Sequence, residues 1–213
     1  MKKGYFDITM VLDRSGSMEH IKGDVIGGFN KFLKEQQAIP GEATMTLVQF
    51  DDIYEVVYEG KKLQEASLLD NTVYQPRGWT ALLDAIGKTI DRTGKRLSDM
   101  PEDQRPEKVI FVIQTDGYEN ASKEFSNDII MAMIIYQKNV YNWEFVFLGA
   151  NQDAIATASK MGIGATHSMT FTSNAGGVAN YYHSVSQNLC NTRNGIADSM
   201  AFTDEDRKKQ TTA

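Results

Sequence analysis

The sequence predicts an α/β fold: a doubly wound, mostly parallel central sheet with one antiparallel edge strand and helices on both faces. Short apolar runs alternate with longer segments of helical periodicity, which is the pattern of βαβ units. Two of the runs are separated by only three residues. Because parallel strands need a crossover of about a dozen residues, these two strands are predicted to be antiparallel. Several runs also end abruptly in polar turns. We therefore expect an open sheet with polar loops at the carboxyl ends of its strands.

The first unit is a strand followed by a long helix. Residues 5–12 alternate between apolar and polar side chains, become wholly apolar and stop at Asp13, which predicts a strand whose end is buried on both faces. Apolar side chains at three- and four-residue spacing then predict an amphipathic helix that stops near Pro40. These apolar positions are Ile21, Val25, Phe29, Phe32 and Leu33.

A hairpin and a second helix follow. The strands at residues 43–50 and 54–58 are the pair with the three-residue connection, so they are predicted to be antiparallel. A loop then leads to Thr80, after which apolar spacing predicts a helix through Ile90. Residues 98–106 contain two prolines and several charges, which indicates a surface loop.

The second half continues the alternation. A nearly pure apolar run at residues 109–113 predicts a strand that ends before Asp116, and Ser126 is a candidate N-cap for the next helix. A buried strand is expected at residues 145–148. The remaining predicted elements are a helix near residues 153–161, a strand at 168–172 and a helix at 178–189.

The chain is expected to form one domain. It is long enough for one α/β domain with a well-buried core, and it shows no internal repeat or linker. We predict a single domain over residues 1–202 and a flexible tail over residues 203–213, because basic residues 207–209 directly follow three acidic ones.

Charge and cysteine content restrict the partners and the compartment. The net charge of −6 gives no attraction to nucleic acid or anionic membranes. Cys190 is the only cysteine, so an internal disulfide and an oxidising compartment have no support. The sequence has neither a signal-peptide pattern nor the ~20 consecutive apolar residues that span a bilayer. We expect a cytoplasmic protein.

Oxygen-bearing side chains follow the predicted strands. Asp13, Ser15 and Ser17 follow the first strand, Asp116 follows the strand at 109–113, and Thr80 precedes the helix between them. Arg14 and residues 151–153 lie in the same set of loops. Ligands bind at the carboxyl edge of such sheets, and oxygen-only sets suit Mg²⁺, with Mn²⁺ and Ca²⁺ as alternatives. Neutral hydroxyls would leave the ion with residual positive charge and an open position for an anionic oxygen.

These motifs resemble the metal-ion-dependent adhesion site of von Willebrand factor A domains. The matching segments are Asp13-Arg-Ser15-Gly-Ser17, Gly78-Trp-Thr80-Ala-Leu82 and Thr115-Asp116-Gly-Tyr-Glu-Asn120. The resemblance covers roughly residues 5–190. Within the family, the chain most resembles the small, single-domain intracellular proteins of bacteria and their phages.

The resemblance implies a function in binding and not in catalysis. It implies that Ser15, Ser17 and Thr80 supply hydroxyl ligands and that Asp13 and Asp116 bind the ion directly or through water. A protein partner would donate an Asp or Glu carboxylate to the open position. The family also implies a place in a larger intracellular assembly, with an AAA+ ATPase as one candidate partner.

Each motif also has a simpler interpretation. Ser15 and Ser17 could only cap a helix, and Asp116 with Gly117 could form an ordinary turn. Trp79 could be an exposed contact or pack beneath its loop. For other polar residues the structural interpretation is preferred: a charged hairpin turn for Asp51 and Asp52, an N-cap for Asp153 with Gln152 beside it, and surface or packing roles for His20, His167 and His183.

Two other functions compete with the binding module. A Mg²⁺-dependent phosphoryl-transfer enzyme on a similar sheet would also place an aspartate after the first strand. Such haloacid-dehalogenase-type enzymes need an acid two residues later, where this chain has Ser15. The third candidate is a structural protein whose ion only stabilises the loops.

Overall fold

The computed structural model describes residues 1–150 and 153–211, which form six strands and six α-helices. The strands are β1 (Lys2–Asp13), β2 (Glu42–Phe50), β3 (Tyr54–Lys62), β4 (Pro106–Thr115), β5 (Glu144–Ala150) and β6 (Ser168–Phe171). The helices are α1 (Lys22–Gln37), α2 (Leu82–Ser98), α3 (Asn127–Tyr141), α4 (Ala154–Lys160), α5 (Ala175–Arg193) and α6 (Asp204–Thr211).

The strands form one sheet in the order β3-β2-β1-β4-β5-β6. Only the edge strand β3 is antiparallel to its neighbour among the described pairings, so the predicted fold class is confirmed. The chain moves outward from β1 to β3 and then returns to the other side of β1 with β4. The strand order therefore reverses between β1 and β4, which end at Asp13 and Thr115.

Two hydrophobic clusters cover the two faces of the sheet. One contains side chains of α1 and α5, including the fully buried Val25, Phe29 and Tyr181. The other contains side chains of α2, α3 and α4, including Ile86 and Ile130. The apolar side chains that recur at three- and four-residue spacing in the sequence thus face the sheet, as in any amphipathic helix.

Element boundaries differ from the predictions in a few places. A 3-10 helix over Gly16–Ile21 precedes α1, and β3 continues to Lys62. Ser126 and Asp153 cap α3 and α4 by accepting from backbone N–H groups, as the sequence predicts. Gln152 lies outside the described residues. Within the described part of the chain, no helix has the length and apolar character needed to cross a membrane.

The segment after residue 203 differs most from its prediction. A flexible tail is expected there, but the structure has helix α6. Thr203 and Asp206 form a capping box in which the Asp206 carboxylate accepts from the Thr203 backbone N–H (2.9 Å) and the Thr203 hydroxyl accepts from the Asp206 N–H (3.2 Å). Arg207 donates to the Ser168 carbonyl (2.7 Å). These local hydrogen bonds outweigh the high charge density on which the prediction rested.

Candidate metal centre

The predicted ligands meet at the reversal point of the sheet. Asp13 is fully buried, and its Oδ1 accepts from the Ser15 N–H at 2.6 Å. The Ser15 and Ser17 hydroxyls lie 3.1 Å apart, and the Ser17 hydroxyl donates to Asp116 Oδ1. Asp13 Oδ2 accepts from the Thr115 hydroxyl at 2.5 Å because β1 and β4 end side by side. Two carboxylates from distant segments are therefore linked through Ser15 and Ser17.

Thr80 reaches the same cluster from the loop before α2. A Cβ atom placed on Gly117 would lie 3.1 Å from Thr80 Oγ1 and 3.6 Å from Ser17 Oγ, so both hydroxyls lie against the Gly117 backbone. Thr80 and Asn120 hold each other, since the Thr80 N–H donates to Asn120 Oδ1 (2.9 Å) and the Asn120 N–H donates to the Thr80 carbonyl (3.1 Å). A side chain at Gly117 would fill the space between the loops.

One carboxylate oxygen in the cluster lacks a partner. Asp116 Oδ2 is buried and accepts no hydrogen bond from the described residues, and an unpaired buried carboxylate oxygen is costly. The Ser15 side chain makes no capping hydrogen bond to the 3-10 helix that it precedes, so capping does not explain its placement. An orphaned carboxylate oxygen beside three hydroxyls fits a hard divalent cation.

The chemistry of the cluster is that of oxygen ligands. No group of three or more His, Cys, Asp or Glu side chains suited to a metal occurs within residues 1–150 and 153–211. Hydroxyl groups would therefore have to supply part of any coordination shell. His20 is exposed, and its Nδ1 contacts the Ser17 carbonyl at 2.6 Å, so this histidine supports the loop from outside.

Burial raises the pKa of both carboxylic acids. Desolvation raises the pKa of Asp13 from 3.8 to about 7, against the lowering effect of its hydrogen bonds with Thr115 and Ser15. Desolvation also raises the pKa of Asp116, against its hydrogen bond from Ser17. Both groups hold a proton more tightly in the folded chain than in the unfolded chain.

We expect opposite pH dependences with and without a divalent cation. Because the folded-state pKa of Asp13 is raised, its contribution to metal-free stability is present below the unfolded value of about 4 and is lost as the pH rises through about 7. A cation needs the deprotonated acid, so its affinity should fall as the pH drops below about 7. Thermal melting from pH 5 to 8 with EDTA and with Mg²⁺ measures this. Parallel pH profiles under the two conditions would contradict it.

Asp51 links two of the candidate metal-binding loops. Its carboxylate is fully buried, and Oδ2 accepts from Arg14 Nε (3.0 Å) and from Arg77 Nε (2.9 Å). Arg14 is also buried, and its Nη1 donates to Glu55. Asp51 thus holds the loop after β1 against the loop before Thr80. The sequence predicted only a charged hairpin turn here, since no pattern within residues 51–53 indicates contacts with positions 14 and 77.

The backbone reinforces that link. The Gly16 N–H donates to the Gly78 carbonyl at 3.2 Å, and the Arg77 N–H donates to the Arg14 carbonyl at 2.8 Å. Gly78 has a φ of +65°, and a Cβ there would lie 2.0 Å from Asp52 Oδ1. Glycine is therefore required both by the conformation and by the close approach of Asp52.

A further set of residues fixes the loop after Asp116. Glu119 accepts from the Leu83 N–H at the start of α2 and from the hydroxyl of Ser122. Asp84 accepts from backbone N–H groups of the loop that precedes α3, including that of Phe125 at 3.0 Å. Sequence reasoning missed these roles and that of Tyr74, whose hydroxyl donates to the Asp13 carbonyl at 2.7 Å.

Two large aromatic side chains stand exposed beside the centre. Trp79 is 68% exposed and precedes Thr80, while Tyr118 is 66% exposed and follows Gly117. Of the two alternatives for Trp79, the structure shows the exposed side chain and not one packed beneath its loop. Exposed aromatic side chains around a polar centre are typical of binding surfaces.

The fold and the site define a Rossmann-like α/β domain with an oxygen-rich centre at its switch point. A family model for the von Willebrand factor type A domain matches residues 7–181. The chain therefore belongs to the von Willebrand factor type A domain family, as its motifs indicated. Domains of this family are generally interaction modules without enzymatic activity. No curated protein matches the chain in sequence.

Solved structures of low sequence identity share the fold. They include the pilus adhesin SpaC from Lactobacillus rhamnosus GG (TM-score 0.67, 15% identity, 90% of this chain and 30% of that one). Mussel-byssus proximal thread matrix protein 1 with a zinc-occupied MIDAS motif has a TM-score of 0.59 at 16% identity, over 88% of this chain and 46% of that one. Manganese-loaded Plasmodium vivax TRAP protein has a TM-score of 0.55 at 15% identity, over 82% and 71%. The chain spans less than half of the mussel and Lactobacillus proteins.

Proposed function

We propose that this domain is a metal-ion-dependent protein-binding module. The observation that carries the proposal is the unpaired, buried Asp116 Oδ2. It lies beside hydroxyls from two other segments, those of Ser15 and Ser17 and that of Thr80. Asp13, Ser15, Ser17, Thr80 and Asp116 would hold the ion, directly or through water. The bound ion would supply a positive centre that accepts an anionic oxygen from outside.

Carboxylate and hydroxyl oxygens are hard donor atoms, so the candidate ligands favour Mg²⁺, with Mn²⁺ or Ca²⁺ as substitutes. The zinc and manganese named for the mussel and Plasmodium structures support a divalent ion at the same kind of site. The partner would be a protein that donates an Asp or Glu carboxylate, such as an AAA+ ATPase or another subunit of a cytoplasmic bacterial or phage assembly. The net charge of −6 argues against nucleic acid as the partner.

The test separates metal binding from partner binding. Calorimetric titration with Mg²⁺ or Mn²⁺ measures the first, and affinity capture with and without EDTA measures the second. We expect Thr80→Ala to weaken both while lowering the free energy of unfolding by only about 1 kcal/mol, because it removes a neutral hydroxyl. The matched control is Thr72→Ala, which removes an exposed threonine hydroxyl that donates to Asp70 and not to any candidate ligand. Unchanged binding in Thr80→Ala would contradict the proposal.

The exposed aromatic pair should contribute to partner affinity and not to metal affinity. We expect Trp79→Ala and Tyr118→Ala each to weaken partner binding roughly 10- to 30-fold, as central interface aromatics do. Mg²⁺ affinity should stay unchanged because neither residue belongs to the hydroxyl and carboxylate cluster. Ile196→Ala is the control, since Ile196 is equally exposed after α5. Equal losses in all three variants would show that the aromatics have no special role.

We expect no phosphoryl transfer by this domain. The position two residues after Asp13 is Ser15, whose hydroxyl contacts Ser17 and cannot replace a carboxylic acid as proton donor. Hydrolysis of para-nitrophenyl phosphate and ATP, assayed with Mg²⁺, should equal that of the buffer. Turnover that requires Mg²⁺ and disappears in Asp13→Ala would favour the enzyme instead.

A further inference from the structure

Helix α3 exposes an apolar surface that the domain itself does not cover. Only Ile130 and Ile134 of this helix are buried, facing the sheet. Six large apolar side chains of the same helix are exposed, and they are Ile129, Met131, Ile135, Tyr136, Val140 and Tyr141. Exposed apolar side chains in this number on one helix mark an interaction surface. This surface, called here the α3 face, lies on the side of the sheet and not at the metal centre.

The charges on the α3 face favour a particular partner. Asp128 in the first turn and Lys138 in the last turn are its charged residues, and Lys138 donates one hydrogen bond to the Gly162 carbonyl. The chain as a whole carries a charge of −6, so two copies repel each other over most of their surface. The α3 face, with one charge of each sign, is a place where this repulsion is weak.

An antiparallel pair of α3 helices matches these charges. If a twofold axis passes beside Met133, which lies midway between Asp128 and Lys138 in the sequence, Asp128 of one copy faces Lys138 of the other. The same register brings Met131 opposite Ile135, and Ile129 close to Tyr136. Ala132 is exposed near the axis, where its small side chain permits close approach. Antiparallel helices also align their macrodipoles favourably.

We propose that the α3 face binds a second copy of this chain and forms a twofold-symmetric dimer. Apolar contacts would supply the affinity, and the two Asp128–Lys138 pairs would set the antiparallel register. A groove of about 440 Å³ borders this face, lined by Tyr136, Val140 and Tyr141 together with side chains of α2. It adds surface toward the ~800 Å² per partner that a stable interface needs.

The dimer would present two metal centres in opposite directions. In each copy α3 begins on the edge of the sheet that carries Asp116 and runs toward the start of β5. Antiparallel pairing therefore places the two centres at opposite ends of the dimer. The surface is independent of the proposed metal site, so loss of metal binding should leave the dimer intact.

Sedimentation velocity of the whole chain over a concentration range of about 100-fold tests the dimer. We expect wild type to dimerise with and without EDTA. Ala132→Glu should remain monomeric, because it places two like charges beside the axis. Ala179→Glu is the matched control, an exposed alanine on α5, and should dimerise as wild type does. Melting curves verify that both variants are folded.

Charge reversal tests the register. Asp128→Lys and Lys138→Asp should each weaken the dimer about 10-fold or more, and the double variant should restore the wild-type constant to within about 3-fold. A monomeric wild type would overturn the proposal. So would a double variant without recovery, or Ala132→Glu dimerising like wild type, since another partner or arrangement would then have to account for the α3 face.

Discussion

We expect Asp13→Asn to weaken Mg²⁺ binding by at least about 100-fold, because even groups outside a metal's ligand shell contribute 10- to 100-fold. The substitution keeps the shape of a fully buried side chain while removing its charge. Asn Oδ1 can still accept from the Ser15 N–H, and its amide can donate to the Thr115 hydroxyl, which also contacts the Gly117 carbonyl. The fold should therefore survive the change.

The metal-free variant should melt no lower than wild type at pH 8. Burial raises the pKa of Asp13 to about 7, so above that pH the wild type holds a buried negative charge that the metal-free fold disfavours. The measurements are Mg²⁺ calorimetry and melting with EDTA at pH 8. Glu19→Gln, an exposed change close by, is the control and should bind Mg²⁺ as wild type does. Retained Mg²⁺ affinity in Asp13→Asn would exclude Asp13 from the site.

We expect Asp51→Ala to lower the free energy of unfolding by about 3 kcal/mol, at the low end of the cost of breaking a buried ion pair. It leaves the buried guanidinium of Arg14 with only Glu55, and Arg14 Nη2 already lacks a partner among the described residues. For a chain of this size the melting temperature should fall by roughly 6–12 °C. The loops of Ser15 and Thr80 would also lose their common anchor, so Mg²⁺ affinity should fall.

Glu55→Gln is the matched control for Asp51→Ala. Glu55 contacts the same guanidinium, but its side chain is 46% exposed, so its loss should cost less than about 1 kcal/mol. Chemical denaturation of both variants measures the difference. Equal destabilisation would mean that burial of Asp51 contributes nothing beyond an ordinary surface contact.

The sequence predicts the sheet well because the sheet depends on local patterns, and the candidate ligands are chosen from patterns of the same kind. Apolar periodicity fixes which face of α1 is buried, and the short connection between β2 and β3 excludes a parallel pair. Asp13 and Asp116 are recognisable because Asp13 ends β1 and Asp116 directly follows β4. Adjacent parallel strands bring their carboxyl ends together, so the convergence of these two residues follows from topology alone.

The supporting network could not be predicted in the same way. The contacts of Asp51 with Arg14 and Arg77 join positions 37 and 26 residues apart, and they depend on the path of three loops. No periodicity encodes that path. The helix over Asp204–Thr211 is a different case, because its capping box was present as Thr203-x-x-Asp206. There a local signal exists in the sequence, and the capping box outweighs the charge composition in the fold.

The docking of α6 bears on how the sheet avoids uncontrolled aggregation. Strand β6 ends the sheet on one side, and an open edge offers backbone groups to any unfolded or neighbouring strand. Arg207 occupies the Ser168 carbonyl of that strand, and the Thr172 hydroxyl just beyond it donates to the Gln210 carbonyl. At the opposite edge, the register of β3 with β2 is interrupted, and β3 ends in Lys61 and Lys62. Both edge strands of the sheet are thus protected against intermolecular strand pairing. Helix α6 protects β6, and the interrupted register and the two lysines protect β3.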